Sequence, residues 1–184
     1  SSGGNYWESV ESFTDRVGIS EWQNQVLLAG AESALSYESY IDLSLNLDRL
    51  RQYFRRSYKS LINSGLRHWE IHIMEASQEG EWEEYRELHH KVSGRITRSR
   101  ETWELQLQSI KEGHAFLVYL RQSDGRMVGG GYFTTTQNEA RYSVGVYDGS
   151  LVPKPLGHVV QIRAIEEMKE RGLAWYKIGS RPYS

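Results

Sequence analysis

The sequence predicts an α+β fold: a mixed, mostly antiparallel sheet flanked by helices and preceded by a helical arm. Three observations carry that expectation. Strand-like runs follow one another between residues 114 and 147, joined by short polar turns, which is the pattern of an antiparallel meander. An amphipathic segment, His158 to Arg171, then leads to another apolar run, Leu173 to Ile178, so the last strand should return parallel to the third. Upstream of the meander, apolar residues recur three and four positions apart, the period of helices packed by one face.

Composition allows one packed core, or a domain with an appended arm. The chain has 184 residues, 39% hydrophobic and 25% charged, and its six Trp and twelve Tyr favour an ordered protein. A net charge of −2 gives no global attraction to nucleic acid or membrane, so any basic site must be local. The absence of cysteine excludes disulfides, thiol catalysis and Cys-ligated zinc. No apolar run approaches the ~20 residues of a bilayer span and no signal peptide is visible, so a cytoplasmic protein is expected. The Ser-Ser-Gly-Gly opening and the stop at Ser184, just after a strand, suggest a fragment or processed chain whose C-terminal end is incomplete.

Residues 1–43 offer no self-contained core. Trp7, Val10 and Phe13 have helical spacing, as do Trp22, Val26 and Leu27, while Tyr37 to Leu43 reads as a short strand. Ser44 to Asn63 reads as one helix, with Leu47, Leu50, Phe54, Tyr58, Leu61 and Ile62 on its buried face. Ser44 or Asn46 caps its start and Asn63-Ser-Gly65 supplies its stop. Its other face carries Arg49, Arg51, Arg55, Arg56 and Lys59 against Asp48 alone, either a solvated basic face or a surface for phosphates. Trp69 to Met74 alternates as a strand, and Trp82 to Val92 is helical. His89 and His90 are adjacent, not four apart, which argues against a metal held on one helix face. Gly94 to Trp103 breaks and restarts the helix, with Ser99 as cap, Glu101 in the first turn, and an end at Lys111 before Gly113. Arg95, Arg98 and Arg100 thus gather at a helix N-terminus, where the dipole disfavours them. They are candidates for binding an anion.

In the meander, His114 to Arg121 is apolar on both faces, so both should be covered. Ser123-Asp-Gly125 turns the chain, and Met127 to Thr136 returns it. Gly129-Gly-Gly131 implies a bulge or the close approach of another backbone. Gln137-Asn138 turns again, and Ala140 to Tyr147 is the third strand. The stretch from Gly145 to Gly157 then joins strand to helix, an arrangement that offers backbone N–H groups to an anion. Lys154, between Pro153 and Pro155, adds a positive charge. An ordinary connector and an anion site both remain open. The helix buries Val159, Ile162, Ile165 and Met168 and ends at Gly172.

The order of strand, two helices, meander, loop, helix and strand resembles the GNAT acyltransferase fold. The loop after the third meander strand is where that superfamily binds the pyrophosphate of coenzyme A. Its Arg/Gln-x-x-Gly-x-Gly/Ala signature is replaced here by Lys154-Pro-Leu-Gly157. The sequence itself more closely resembles the Fem-type (FemAB-like) aminoacyltransferases of bacterial peptidoglycan bridges, a GNAT-related family. The resemblance rests on Tyr40-Ile-Asp-Leu-Ser44, Ser57-Tyr-Lys-Ser-Leu-Ile-Asn63 and Gly94-Arg-Ile-Thr-Arg-Ser-Arg-Glu-Thr-Trp103. It continues in Tyr142-Ser-Val-Gly-Val-Tyr-Asp148, Lys154-Pro-Leu-Gly-His158 and Gly172-Leu-Ala-Trp-Tyr-Lys-Ile-Gly179, and covers residues 37–179.

The resemblance implies transfer of an acyl or aminoacyl group to an amine of a cell-envelope precursor or related small molecule. It implies aminoacyl-tRNA or acyl-coenzyme A as donor, no required cofactor and no metal, and a ternary complex without a covalent enzyme intermediate. Residues 1–65 would be an arm, the remnant of a first GNAT-like unit, and 66–184 the GNAT-like domain. Lys154 and the N–H groups of Leu156, Gly157, His158 and Val159 would hold a donor phosphate. Arg98, with Arg95 or Arg100, would hold the acceptor diphosphate by paired hydrogen bonds. Tyr142, Tyr147 or His158 would position the amine or relay its proton. Relatives of this family tend to end in a Phe-Lys-x-Gly-Phe-like strand, for which the sequence up to Ser184 offers no match. Three alternatives stand beside this reading: a coenzyme A-dependent N-acetyltransferase, a binding module that has kept the fold without the chemistry, and RNA binding through Arg49 to Lys59.

Overall fold

The computed structural model describes residues 20–32, 36–151 and 154–182; Trp7, Val10 and Phe13 lie outside them. In chain order the elements are α1 (Glu21–Leu28), β1 (Ser36–Asp42), α2 (Leu47–Tyr53), α3 (Arg56–His68), β2 (Glu70–Ile73), α4 (Glu79–Ser93) and α5 (Arg100–Lys111). The meander β3 (Ala115–Arg121), β4 (Met127–Thr135) and β5 (Glu139–Tyr147) follows, then α6 (Leu156–Glu170) and β6 (Trp175–Pro182). The chain divides into two units: residues 40–178 form one, while α1, the first part of β1 and the end of β6 belong to the other. α1 is capped by Ser20, whose Oγ accepts from the Gln23 amide at 3.1 Å.

The six strands form one sheet in the order β1-β6-β5-β4-β3-β2. β2, β3, β4 and β5 pair antiparallel in succession, and β6 returns parallel to β5, as the meander and crossover predict. β3 alternates between two cores. Phe116, Val118 and Leu120 face α6, packing with Val159, Val160 and Met168, while Leu117 and Tyr119 face α4 and α5, packing with Trp82, Tyr85 and Trp103. Each such side chain taken from water contributes roughly 1.5–3 kcal/mol. The strand that is apolar on both faces is therefore covered on both.

Two boundaries differ from the sequence expectation. Ser44 to Asn63 is not one helix. The chain is extended at Phe54, with φ −70 and ψ 141, and α3 starts afresh at Arg56. No Gly or Pro marks the break. Phe54 packs into the α6-side core, and Lys59 Nζ donates to the Gln52 carbonyl at 3.4 Å near the end of α2. Tyr58, placed on the buried face by its spacing, is consequently exposed. Asn46 supplies the cap, accepting from the Arg49 amide at 2.8 Å, whereas Ser44 is held by Asp42 Oδ1.

Gly65 is the second difference. The helix runs through it to His68, because here the glycine is a point of contact and not a stop. A Cβ on Gly65 would lie 2.1 Å from Val159 Cγ2 and 2.9 Å from the Pro155 carbonyl oxygen, so only glycine lets α3 close against the start of α6. By contrast Gly94, Gly113 and Gly172 follow helices with φ of +65, +78 and +74, as stop glycines do. Asp124-Gly125 turns the first hairpin, with Gly125 at φ +85.

Candidate functional site

The site is built where β5 leaves the sheet. Registered pairs between β5 and β6 run only from Glu139–Trp175 to Arg141–Lys177. At the next residue β5 bulges against β4: Tyr132 pairs with Val144 and Phe133 with Tyr142, leaving Ser143 as the extra residue. In a regular strand Tyr142 and Tyr147, five apart, would face opposite sides of the sheet. The bulge shifts the alternation by one. Both rings pack on the α6 side, and their hydroxyls approach to 3.1 Å.

Glycines make the seats for these rings. A Cβ on Gly145 would lie 1.6 Å from the Tyr142 hydroxyl, so the Tyr142 ring lies over Gly145. On β4, a Cβ on Gly129 would meet Tyr147 at 2.7 Å, one on Gly130 would meet Tyr85 at 3.1 Å, and one on Gly131 would meet Tyr142 at 3.0 Å. Gly129-Gly-Gly131 thus admits three tyrosine rings, Tyr85 from the α4 side and the other two from the α6 side. The expected bulge is present as well: Leu120 pairs with Gly129 and Arg121 with Met127, so Val128 is the extra residue.

Burial sets the protonation of the pair. Desolvation, with the neighbouring phenol second, pushes Tyr147 far above the ordinary phenol range, and desolvation also raises Tyr142. Both are neutral near pH 7. Between them one hydroxyl proton makes the shared hydrogen bond, and the other remains for a ligand. Tyr85 donates to the Val144 carbonyl at 3.1 Å and fixes the strand behind them.

The start of α6 lies beside this pair. Gly157 passes Tyr147 closely, since a Cβ there would be 3.6 Å from the Tyr147 hydroxyl. Pro155 is the N-cap and gives no side-chain cap, so the amides of the first turn at Gly157 and His158 are left to solvent or a ligand. Leu156 and Val159 have other duties. The Leu156 amide donates to the Lys154 carbonyl at 3.0 Å, and both side chains are buried in the core. His158 meets Tyr58 of α3 edge-on, ring centroids 4.8 Å apart. Lys154 is exposed, with Nζ 5.5 Å from the centroid of the Trp69 ring. Val152 and Pro153, within the same loop, lie outside the described residues. Asp148 fastens the loop: its carboxylate accepts from Ser150 and, at 2.8 Å, from Arg126, and these bonds, the Ser150 hydroxyl's first and Arg126's second, hold its pKa down at about 2.

The three arginines lie on the other layer and do not share one partner. Arg98 turns inward, its Nη1 3.1 Å from His89 Nε2 and its guanidinium 5.7 Å from the Trp103 ring centroid. Burial first, and then the Arg98 charge, depress the His89 pKa, so the imidazole is neutral and Nε2 accepts from Arg98. Arg100 pairs outward with Glu104 at 2.8 Å and lines a cleft of about 390 Å³ between α4 and α5, floored by Trp82 and Trp103. Arg95 is exposed. Of the residues singled out from the sequence, Tyr142, Tyr147 and Gly157 come together, with Lys154 and His158 flanking the same turn. Trp69, Tyr58 and Gly65 are neighbours of the turn that the sequence does not flag. Their only trace there is aromatic and glycine residues at positions that also fit a plain helix, its stop and the strand that follows. Among the described residues, no group of three or more His, Asp or Glu is placed to hold a metal, and no helix is long and apolar enough to cross a membrane.

No protein-family model matches the chain, and no curated protein matches its sequence. Solved structures do. FemX superposes with a TM-score of 0.64 at 12% identity, over 80% of this chain and 53% of FemX. L-PGS from Bacillus licheniformis gives 0.59 at 16% identity, over 82% of this chain and 49% of that one. An aminoglycoside acetyltransferase from an uncultured soil metagenomic sample, solved with sisomicin, gives 0.54 at 11% identity, over 61% of this chain and 78% of that one. The chain spans about half the length of FemX and L-PGS. At these identities the likeness is one of fold: the sheet and its helices have the GNAT-like arrangement that FemX also has.

Proposed function

We propose that this GNAT-fold chain transfers an acyl or aminoacyl group to an amine, with the donor held at the β5–α6 turn and the acceptor a cell-envelope precursor or related small molecule. The observation that carries the reading is the neutral Tyr142–Tyr147 pair beside the uncapped first turn of α6, at the point where β5 and β6 stop pairing. The Gly157 and His158 amides and the Lys154 ammonium suit a donor phosphate. The carbonyl would then lie along the open side of β5.

In the transfer the amine nitrogen attacks the carbonyl carbon, a C–N bond forms, and the C–S or C–O bond to the donor breaks. The departing sulfur or oxygen leaves with the electron pair and needs a hydrogen-bond donor. A phenol kept neutral by burial supplies one without ionising, and for the same reason neither tyrosine serves as the base that takes the proton of the amine. His158, exposed enough to reach solvent, is the group of the turn suited to that proton. Positioning supplies much of the rate in such a reaction. Arg98, on the opposite layer with no carboxylate partner among the described residues, remains the acceptor-side anion candidate of the three arginines.

The donor follows from binding. Thermal unfolding of the chain with acetyl-coenzyme A, with aminoacyl-tRNA and with uncharged tRNA should show a rise in Tm for one acyl donor, lost in Lys154→Ala. No shift with either donor contradicts the reading. The second reading, a binding module without chemistry, draws support from Lys154-Pro-Leu-Gly157 in place of the glycine signature. It predicts the same Tm rise but no consumption of bound donor when amines are added.

A further inference from the structure

α2 and α3 carry a basic surface that acyl transfer at the β5–α6 turn does not use, so its role is independent of where an acyl donor binds. Between Leu43 and Trp69 the sequence has six arginines and lysines and a single acid, Asp48, in a chain whose net charge is −2. On α3, Arg56, Lys59, Asn63 and Arg67 recur three and four residues apart and so form one line along the helix. Gly65, buried against α6, lies on the opposite side. α2 joins this line through two hydrogen bonds. Arg51 Nη2 donates to Asn63 Oδ1 at 2.6 Å, and Lys59 Nζ donates to the Gln52 carbonyl at 3.4 Å.

The cations of α2 and α3 are not neutralised by the protein. Arg49, Arg51, Arg55, Arg56, Lys59 and Arg67 form no ion pair with a carboxylate among the described residues, and all but Arg51 and Lys59 are exposed. Elsewhere the opposite holds: Arg86 pairs with Glu83, Arg100 with Glu104, and Arg163 with Glu166, Glu167 and Glu170. A second feature accompanies the charge. Tyr53, at the end of α2 and next to Gln52, whose carbonyl accepts from Lys59, is 71% exposed and leaves a ring face open beside these cations.

We propose that the α2–α3 face binds a single-stranded nucleic-acid segment, with phosphates along Arg51, Arg56, Lys59 and Arg67 and a base stacked on Tyr53. Charge complementarity selects a polyanion, and an exposed aromatic among cations selects one with unstacked bases. An anionic membrane fits less well. Between the cations stand Ser57, Ser60, Asn63 and Ser64, and the exposed large apolar residues of α3, Tyr58 and Leu66, are single side chains two turns apart, too few for a stripe to insert.

The test titrates the full chain with a fluorescein-labelled oligouridylate over a range of salt concentrations, beside an RNA duplex and phosphatidylglycerol vesicles. The single strand should bind, with log K falling linearly in log salt. The double variant Arg56→Ala/Arg67→Ala should weaken binding and reduce that slope by about 1.4, at about 0.7 per phosphate contact. Lys91→Ala/Lys111→Ala, with the same change in net charge, should leave both unchanged. Tyr53→Ala should weaken the single strand at least threefold and leave the duplex unaffected. The proposal is overturned if the wild type binds no single strand at low salt, if the two double variants lose affinity equally, or if vesicles bind and nucleic acid does not. All the substituted residues lie on the surface, and an unchanged Tm for each variant separates lost binding from lost folding.

Discussion

At the scale of single residues, the site depends on atoms that are missing. Gly145→Ala would place a methyl 1.6 Å from the Tyr142 hydroxyl, so the ring must leave its seat and the 3.1 Å contact with Tyr147 is lost. Overfilling of this kind costs about 1–3 kcal/mol. Urea unfolding should show that loss for Gly145→Ala and a much smaller one for Gly157→Ala, whose added methyl meets Tyr147 at an ordinary 3.5 Å. Tyr147→Phe keeps the ring and removes the hydroxyl, so donor turnover should fall about tenfold or more with little change in Tm, if a phenol stabilises the leaving group.

His89 gives a residue-scale prediction on pH. Its folded-state pKa is depressed by burial and by Arg98, so below its unfolded value of about 6.5 the unfolded chain binds more protons than the folded one. Stability should therefore fall as pH drops from about 6.5 toward the folded pKa. His89→Gln, which keeps an acceptor for Arg98, should flatten that part of the profile. Urea midpoints measured between pH 7.5 and 5 read this directly. An identical slope in the variant would assign the effect to another group.

At the scale of elements, the meander, its turns and the helix stops are legible because each has a local cause: alternation, a turn glycine, a capping side chain. Ser99 caps α5 as its sequence suggests, its Oγ accepting from the Thr102 amide at 3.3 Å. The break between α2 and α3 is not legible, because Tyr53-Phe-Arg-Arg56 has no breaker and the chain turns there to bury Phe54. Gly65 misleads for a related reason. A glycine near a helix end signals a stop in sequence, while the Val159 methyl and Pro155 carbonyl that require it come from α6, some ninety positions on. Gly65→Val should accordingly separate α3 from α6, lower Tm, and abolish donor binding by shifting the first turn of α6. Gly94→Val, with nothing near its missing Cβ, bears only the strain of its positive φ and should leave donor binding intact.

At the scale of the molecule, the antiparallel meander, its cover on both faces and the parallel return of β6 are implied by the order of elements, since few arrangements cover an apolar strand on both faces, whereas the places of β1 beside β6 and β2 beside β3 are not. The location of the candidate site is partly implied. The sequence points to the β5–α6 connection, but the bulge at Ser143, which brings Tyr142 and Tyr147 to one side, depends on pairing with β4 and leaves no local trace. The three arginines beside α5 show the limit of proximity in sequence, for Arg98 turns in to His89 while Arg100 turns out to Glu104.

The central claim is that an acyl donor sits on the first turn of α6, and amide hydrogen exchange of the chain with and without donor tests it most directly. With acetyl-coenzyme A or aminoacyl-tRNA bound, the account predicts slower exchange at Gly157 and His158 and in the segment from Tyr142 to Tyr147, with α4 and α5 unchanged. Binding of a donor with protection confined to α4 and α5, or to any other surface, would contradict it.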